Sequence, residues 1–315
     1  MREIGGYIEL EHFHGNMLHE GALALNCGRN CLAYLIKAKK IKKIFIPYFL
    51  CDSVINVCRR ENVEVEMYHI GEDFLPVDLN IGGDWLYLVN YYGRLDNDTI
   101  KAFKEKYKRV IVDNAQAYFQ MPVEGVDTLY TCRKFFGVTD GAFLYTDAVS
   151  DIKPGLDESY KRMNFLLGRF ERTASEFYGE YADNNRLFKN EPVKKMSLLT
   201  ENLLRGIDYD FVKKRRTENF KYLHNALKGI NKLSLKLPEG AFMYPLYVDN
   251  GRKLRKQLQE IKIYIPTLWP YVFESCGEDD TEYGMASDIL PIPTDQRYTA
   301  DDMEYIVNKI RNFTE

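Results

Sequence analysis

Apolar residues in the first half of the chain form short runs, separated by turn residues and by segments with helical spacing. The runs are rich in β-branched and aromatic residues, which favour strands. They predict strands at 43–47, 63–68, 84–90, 109–113, 126–131 and 142–146. Helices are predicted between them, at 30–39 and 52–60. Another helix is expected to begin at a cap at Asn97 or Asp98 and to carry three apolar residues on one face: Ile100, Phe103 and Tyr107.

Strands that alternate with helices at this spacing predict an α/β fold. We expect a three-layer α/β/α domain around a mostly parallel sheet, with right-handed connections. In such sheets, ligands bind at the carboxyl ends of the strands. Polar residues that follow those ends are therefore the first candidates for a functional site.

The second half has a different pattern and predicts a smaller α+β domain. Charged and aromatic residues dominate 155–188, which is predicted to be helical, and a long helix is expected at 211–227. A further helix at 253–260 lies between two short apolar segments, 245–248 and 261–265.

The last segment predicts a helix with a clear start. Thr299 and Asp302 have the spacing of a capping box. The apolar residues that follow recur at helical intervals: Met303, Ile306, Val307 and Ile310. We expect a large domain at 1–200 and a small C-terminal domain at 201–315.

Composition and charge narrow the classes of function. Hydrophobic residues make up 45% and charged residues 28%, which rules out a disordered chain. Lys plus Arg number 43 against 46 Asp plus Glu, and the resulting net charge of −3 favours neither nucleic acid nor a membrane surface as a partner. No apolar stretch approaches the roughly 20 residues of a membrane span, and no secretory signal pattern follows Met1.

The 6 cysteines do not form a metal-binding pattern. None belongs to a Cys-x-x-Cys pair, and the histidines do not cluster with them, so no metal site is predicted. Without a signal, they are expected to be reduced thiols of a cytoplasmic protein.

The first of three polar clusters lies before a predicted helix, at Cys27-Gly28-Arg29-Asn30. Free amides at a helix N-terminus bind anions such as phosphate, and the Arg29 guanidinium could add a ligand. The alternative is an ordinary turn that caps the helix.

The other two clusters follow predicted strands. Asp113 ends the β-branched run 110–112, where a carboxylate could bind a metal, a ribose or a protonated pyridine nitrogen, or simply cap the next segment. Lys134 lies in a mostly apolar loop after Thr131. Desolvation there would favour its neutral, nucleophilic amine, whereas the alternative is an ordinary surface lysine.

In their order and spacing, these clusters resemble the nucleotide-sugar aminotransferases of the DegT/StrS type, which are fold-type I, pyridoxal-phosphate-dependent enzymes. That family has Ser-Gly-Thr-x-Ala-Leu where this chain has Cys-Gly-Arg-Asn-Cys-Leu at 27–32, and Asp-x-Ala-His/Gln-Ala where it has Asp-Asn-Ala-Gln-Ala at 113–117. Segment 131–141 resembles the family's lysine loop and Gly-rich turn. The resemblance covers most of residues 20–312, and the chain is short for the family.

The resemblance implies an aspartate-aminotransferase-like fold and a role for each matching residue. Lys134 would form a Schiff base with the aldehyde of pyridoxal 5′-phosphate and then carry protons. Asp113 would pair with the pyridinium nitrogen, and Gln116 with the phenolic oxygen. Tyr92 would lie on the substrate side. The phosphate would be held by Thr131 and by residues at the helix N-terminus: Gly28, Arg29 and Asn30.

This chain departs from the family's pattern at several positions. Arg29 replaces the hydroxyl that follows the glycine, and Val193 stands about where a neighbouring subunit's Asn would reach the phosphate. We therefore predict that Arg29 replaces both as a phosphate ligand. An aromatic residue usually covers the cofactor ring; Cys51 stands near that position, and Tyr48 or Phe49 is an alternative.

By resemblance, the chain is expected to be a cytoplasmic homodimer that transfers an amino group to a keto-sugar. The sugar would be nucleotide-linked, as in polysaccharide biosynthesis, and the donor an amino acid such as glutamate. Two alternatives remain open at this point: a sugar dehydratase that uses the same cofactor, and a catalytically degenerate homologue that acts as a binding or regulatory protein.

Overall fold

A computed structural model describes residues 4–314 and contains a seven-stranded mixed sheet beside a two-stranded one. The order of strands in the large sheet is β1-β7-β6-β5-β4-β2-β3. Strands β2 to β6 pair in parallel, whereas β7 and β1 are antiparallel to their neighbours. The strands are β1 Leu23–Leu25, β2 Lys43–Pro47, β3 Glu64–Tyr68, β4 Trp85–Val89, β5 Val110–Asp113, β6 Asp127–Thr131, β7 Ala142–Tyr145, β8 Met243–Tyr247 and β9 Ile289–Pro293.

Helices cover the sheet and build the C-terminal part. Within residues 4–314 they are α1 Gly28–Ala38, α2 Asp52–Arg60, α3 Asn97–Tyr107, α4 Asn164–Glu171, α5 Tyr178–Leu187, α6 Leu198–Arg205, α7 Tyr209–Leu227, α8 Gly251–Glu260, α9 Val272–Ser275, α10 Thr281–Asp288 and α11 Ala300–Thr314. This alternation confirms the predicted α/β class with a mostly parallel sheet and flanking helices.

The predicted strands of the first half are all present; most are apolar runs buried in the sheet, whereas β3 is an edge strand with alternating exposed and partly buried residues. In β5 every residue is buried. Strand β1 escaped prediction because only three residues form it, and its pairing partner β7 lies more than a hundred residues away in sequence. Segment 261–265 forms no strand: β8 pairs only with β9 among the described residues, and Ile263 N instead donates to the carbonyl of Leu258 as α8 ends.

Two helix starts illustrate how local hydrogen bonds fix the boundaries. The cap of α3 is Asp96, whose carboxylate accepts from Thr99 N at 2.9 Å, so the prediction of Asn97 or Asp98 was wrong by one or two residues. At α11 the capping-box prediction is confirmed, because the Asp302 carboxylate accepts from Thr299 N at 2.8 Å.

The apolar residues form two cores. The larger one packs around the seven-stranded sheet, and the smaller one lies between α7, α8, α11 and the β8–β9 pair. Helix α7 contributes to both, with Val212 in the large core and Phe220 in the small one. The predicted domain boundary at residue 200 places all of α7 in the small domain, although Val212 of this helix packs in the large core. No helix in residues 4–314 is both long and apolar enough to cross a membrane.

Candidate active site

The predicted site residues lie along the carboxyl edge of the sheet. Strands β4, β5 and β6 are adjacent and parallel, with Val89 paired to Asp113 and Asp113 to Leu129. Asp113 is therefore the last residue of a central strand, and Thr131 ends the strand beside it. Since parallel strands end at the same edge, the loops after them meet there.

Asp113 is a buried carboxylate held by two donors. Tyr87 Oη donates to its Oδ2 and the Ala115 amide donates to its Oδ1, each at 2.8 Å. Asp113 is 9% exposed and thus almost completely buried at the end of its strand. Tyr87 was not predicted. It lies on β4 and pairs with Ile111, two residues before Asp113 on the neighbouring strand, and this register brings its hydroxyl to the carboxylate.

Lys134 lies in a turn directly after β6, and buried contacts fix that turn. Phe135 and Phe136 both donate their amides to the carbonyl of Cys132. The carbonyl of Phe135 accepts from Arg216 Nη2 at 3.1 Å and from Gln296 Nε2 at 2.8 Å. Arg216 is 1% exposed and also donates to Ala241 O, so the lysine turn is anchored to the C-terminal part of the chain.

The side chain of Lys134 is exposed to solvent and also has protein atoms around its amine. Its Nζ lies 5.5 Å from the centre of the Phe242 ring. Desolvation by the surrounding atoms lowers its pKa, the Asp113 charge opposes this, and Arg133 and Arg29 lower the pKa further. The charges of Asp113, Arg133 and Arg29 therefore all act on Lys134 at this edge. Because the pKa of Lys134 is lowered, more of its amine is neutral near pH 7 than in an ordinary lysine.

The N-terminus of α1 faces the same edge. Cys27 is its extended N-cap and provides no side-chain hydrogen bond to the helix. A Cβ on Gly28 would lie 3.9 Å from Thr131 Cβ, so the helix start approaches the end of β6. The Asn30 amide bonds to Cys27 O, whereas within residues 4–314 the amides of Gly28 and Arg29 have no oxygen acceptor, and the Cys27 thiol lies within reach of the Arg29 amide.

The side chain of Asn30 is fully engaged elsewhere. It is completely buried and donates to Asn26 Oδ1 at 2.9 Å and to the Pro192 carbonyl at 2.7 Å. Its own Oδ1 accepts from Arg60 Nη2 at 3.2 Å. The side chain thus ties the start of α1 to segment 191–192 and positions the neighbouring residues.

Arg133 joins the site although the sequence interpretation did not single it out. Its Nη1 donates to Asn185 Oδ1 at 2.6 Å, and Arg29 Nη1 donates to the carbonyl of the same Asn185 at 3.1 Å. Asn185 belongs to α5, far away in sequence. The only local signal was a second cation immediately before the candidate lysine.

Gln116 and Tyr92 lie together beside a cavity. The Tyr92 amide donates to Gln116 Oε1 at 2.9 Å, and both residues are almost fully buried. They help to line a cavity of about 410 Å³ between the sheet edge and residues 236–241. Tyr92 has a positive φ of 55°, which turns the chain sharply after β4.

The residues near the predicted ring-covering position have different environments. Phe49 is 1% exposed and packs against Tyr91 and Trp269 in the core. Tyr48 stacks on His69 with the ring centres 4.5 Å apart. Cys51 is partly exposed, and its charge would act on Lys134. Cys51 therefore lies within electrostatic range of Lys134, whereas Phe49 is buried in the core and is not available as a cover.

Neither a metal centre nor a disulfide forms part of this region. Within residues 4–314, no group of three or more His, Cys, Asp or Glu side chains is arranged to hold a metal ion. All cysteines are free thiols.

Solved structures similar to this one include aminotransferases. DesV of S. venezuelae, solved in complex with a ketimine intermediate, has a TM-score of 0.66 at 14% identity, over 93% of this chain and 85% of its own. A DegT DnrJ EryC1 StrS aminotransferase from Brucella abortus has a TM-score of 0.59 at 15% identity, over 93% and 86%. This chain has the aminotransferase fold. The fold predicted from the resemblance, fold type I, is thereby confirmed.

A third similar structure contains the cofactor. It is the PLP form of a Streptococcus pneumoniae protein described as a sugar aminotransferase, with a TM-score of 0.64 at 13% identity, over 94% of this chain and 88% of its own. No family model and no curated protein sequence matches the chain. At these identities the likeness establishes the fold, and the residues must carry the argument for function.

Proposed function

We propose that this protein is a pyridoxal-phosphate-dependent aminotransferase. The observation that carries the proposal is the position of Lys134 at the carboxyl edge of the sheet. Desolvation lowers the pKa of its amine, and the charge of the buried Asp113 carboxylate is near enough to act on that amine. An amine and a carboxylate in this arrangement suit a cofactor with an aldehyde and a pyridine nitrogen.

The residues present fit that cofactor. A phosphate would find the amides of Gly28 and Arg29, which have no oxygen acceptor among the described residues, and the Thr131 hydroxyl at the end of β6. A pyridine nitrogen would find a carboxylate whose oxygens are already oriented by Tyr87 and Ala115. Gln116 is fixed through Tyr92, and its amide nitrogen has no partner among the described residues, so it could donate to a phenolic oxygen.

The chain's own groups have separate tasks in the proposed reaction. When bound, pyridoxal phosphate supplies an aldehyde that exchanges with primary amines and a ring that accepts an electron pair from the substrate carbon. Asp113 keeps a proton on the ring nitrogen. The Lys134 amine removes a proton from the substrate carbon and returns it, which requires the neutral amine that its lowered pKa favours.

The acceptor is proposed to be a keto-sugar, nucleotide-linked, and the donor an amino acid such as glutamate. Support for a sugar comes from the similar Streptococcus pneumoniae structure, which is described as a sugar aminotransferase. The cavity of about 410 Å³ beside Gln116 and Tyr92 provides space on the substrate side.

The working unit is proposed to be a homodimer. Helices α4 and α5 expose large apolar side chains, including Leu167 at 62%, Phe170 at 91% and Tyr178 at 67%. Helix α5 also carries Asn185, which binds Arg29 and Arg133. A second copy packed on these helices would bury the apolar patch and close the site.

The experiment is a half-reaction monitored in the visible range. Purified protein with pyridoxal phosphate should show an absorbance that the Lys134→Ala variant lacks, and glutamate should bleach it while 2-oxoglutarate forms. Addition of a nucleotide keto-sugar should restore the absorbance. An absorbance that no amino acid bleaches would contradict transamination.

A catalytically degenerate homologue remains the alternative, and one observation favours it. An aromatic residue is expected to cover the cofactor ring. The residue near that position that acts electrostatically on Lys134 is instead Cys51. A degenerate protein would not form the Lys134-dependent absorbance even at saturating cofactor.

A further inference from the structure

Two arginines lie side by side at the start of α1, and we call Arg29 and Arg133 the arginine pair. A single neutral residue, Asn185, binds both arginines. Its backbone carbonyl accepts from Arg29, and its side-chain oxygen accepts from Arg133. Helix α5 therefore brings together two cations that are about a hundred residues apart in sequence.

The arginine pair has no acidic partner in the described part of the chain. Neither guanidinium forms a salt bridge within residues 4–314, and Arg133 Nε is buried without any hydrogen-bond partner. Burial lowers the pKa of Arg133, the Cys27 thiol opposes this, and the Arg29 charge lowers it further. Half-buried like charges without a counter-ion are unfavourable, so an anion that binds both guanidinium groups would be strongly favoured.

Arg162 provides an internal contrast on the same aromatic ring. Arg133 and Arg162 both stack on the buried Phe188 ring, at 4.6 and 5.3 Å from its centre. Arg162 Nη2, however, donates to the Asp157 carboxylate at 2.8 Å. The fold thus supplies a carboxylate for the arginine away from Lys134 and none for the arginine next to it.

The groups around the arginine pair are those that bind a phosphate. Both arginines act electrostatically on Lys134 and on the Cys27 thiol at the start of α1. The amides of the first turn of α1 are near the arginine pair, because Arg29 belongs to that turn, and Thr131 lies next to Gly28. Guanidinium groups match phosphate oxygens in charge and geometry.

We propose that the arginine pair binds a phosphate monoester, supplied by the cofactor, and that Arg133 is a phosphate ligand together with Arg29. The inference rests on the proposed function for the identity of the phosphate's carrier. A phosphate of a nucleotide-linked substrate has similar chemistry, so the test must distinguish the two sources.

The test compares the affinities of pyridoxal phosphate and of pyridoxal, which lacks the phosphate. Wild-type protein should bind pyridoxal phosphate far more tightly. In Arg133→Met, and likewise in Arg29→Met, the ratio of the two affinities should fall by about tenfold or more, because a charge-assisted contact to phosphate is lost. Arg162→Met is the matched control and should leave the ratio unchanged. Arg133→Lys, which keeps the charge but not the fork, should give an intermediate ratio.

A second measurement needs neither catalysis nor the cofactor. Inorganic phosphate should raise the melting temperature of the apoprotein, and Arg133→Met should abolish that rise while Arg162→Met retains it. If Lys134-dependent absorbance forms but the affinity ratio is the same in wild type, Arg29→Met and Arg133→Met, the inference is overturned and the proposed function stands. If phosphate stabilises the protein through Arg133 but the absorbance never forms, the phosphate site is supported and the proposed function fails.

Discussion

The sheet side and the helix side of the site differ in how their charged groups are satisfied. On the sheet side, Asp113 receives hydrogen bonds from Tyr87 and Ala115 and is complete without a ligand. On the helix side, Arg29 and Arg133 both donate to the neutral Asn185, and neither forms a salt bridge within residues 4–314. One side is preorganised by the protein, and the other requires an anion.

This difference assigns different consequences to the two sides. Preorganised groups act where charge develops during the reaction, so changes there should lower kcat. Groups without a counter-ion contribute chiefly to binding, so changes there should weaken the affinity for a phosphate. The following variants test whether that separation holds, from the largest expected effect to the smallest.

Asp113→Asn removes the carboxylate charge from the sheet side and keeps its shape. We expect kcat to fall by about 10²–10³-fold, because a neutral amide cannot hold the proton on the ring nitrogen. The ratio of pyridoxal phosphate to pyridoxal affinity should not change. Steady-state kinetics and cofactor titration measure both quantities.

Asp127→Asn is the matched control for that variant. Asp127 is also a buried carboxylate of the sheet, but it begins β6 at the opposite edge and pairs with Lys39 at 2.8 Å. Its substitution should lower stability and leave kcat within about twofold, since a partly buried ion pair acts locally. An equal loss of kcat in both variants would contradict a specific role for Asp113.

His19 lies outside the site but, like Asp113, is a buried polar residue whose hydrogen bonds are satisfied by the protein. It is fully buried, its Nε2 donates to the Tyr118 carbonyl at 2.8 Å, and Tyr145 Oη donates to its Nδ1 at 3.1 Å. Burial lowers the pKa of His19 from 6.5 to about 4, with the Tyr118 hydrogen bond opposing. The ring is thus neutral and satisfied in the folded protein.

The consequence is a loss of stability in acid. Below pH 6.5 the unfolded state binds a proton that the folded state refuses, so the His19 contribution is complete above pH 6.5 and is lost as pH falls towards 4. The full loss is about 3 kcal/mol from one group. Urea unfolding between pH 7 and pH 4 should show it, and His19→Gln should remove most of that slope. An unchanged slope in the variant would sink this account of His19.

Tyr87→Phe makes the smallest change, since it removes one of the two hydrogen bonds that orient Asp113. We expect kcat to fall by about three- to tenfold, in line with the roughly 1 kcal/mol of one hydrogen bond. The phosphate-dependent affinity ratio should stay the same, as should the Lys134-dependent absorbance. A loss of kcat as large as in Asp113→Asn would mean that Tyr87 itself touches the reacting groups.

The sheet side could be predicted from the sequence because its signals are local. Asp113 and Thr131 end apolar runs that are long enough to be recognised as strands, and parallel strands end at one edge whatever the rest of the chain does. Lys134 follows from the same reasoning, since it lies three residues beyond the end of β6.

The helix side depends on contacts that no local pattern reveals. Arg133 donates to Asn185 on a helix 52 residues away, and β1, which leads into α1, forms by pairing with the distant β7. Tyr87 was missed for a related reason, because its hydroxyl meets Asp113 only through the register of two neighbouring strands. Long-range pairing places these residues, whereas sequence spacing alone places the strand ends.

The most direct test of the account is to locate the cofactor on the chain. Protein incubated with pyridoxal phosphate and reduced with borohydride should carry one adduct, and peptide mass spectrometry should find it on Lys134, with none on the surface lysine Lys161. Lys134→Ala should yield no stoichiometric adduct. Stoichiometric labelling of another lysine, or labelling unchanged in Lys134→Ala, would contradict the claim that this sheet edge is the active site.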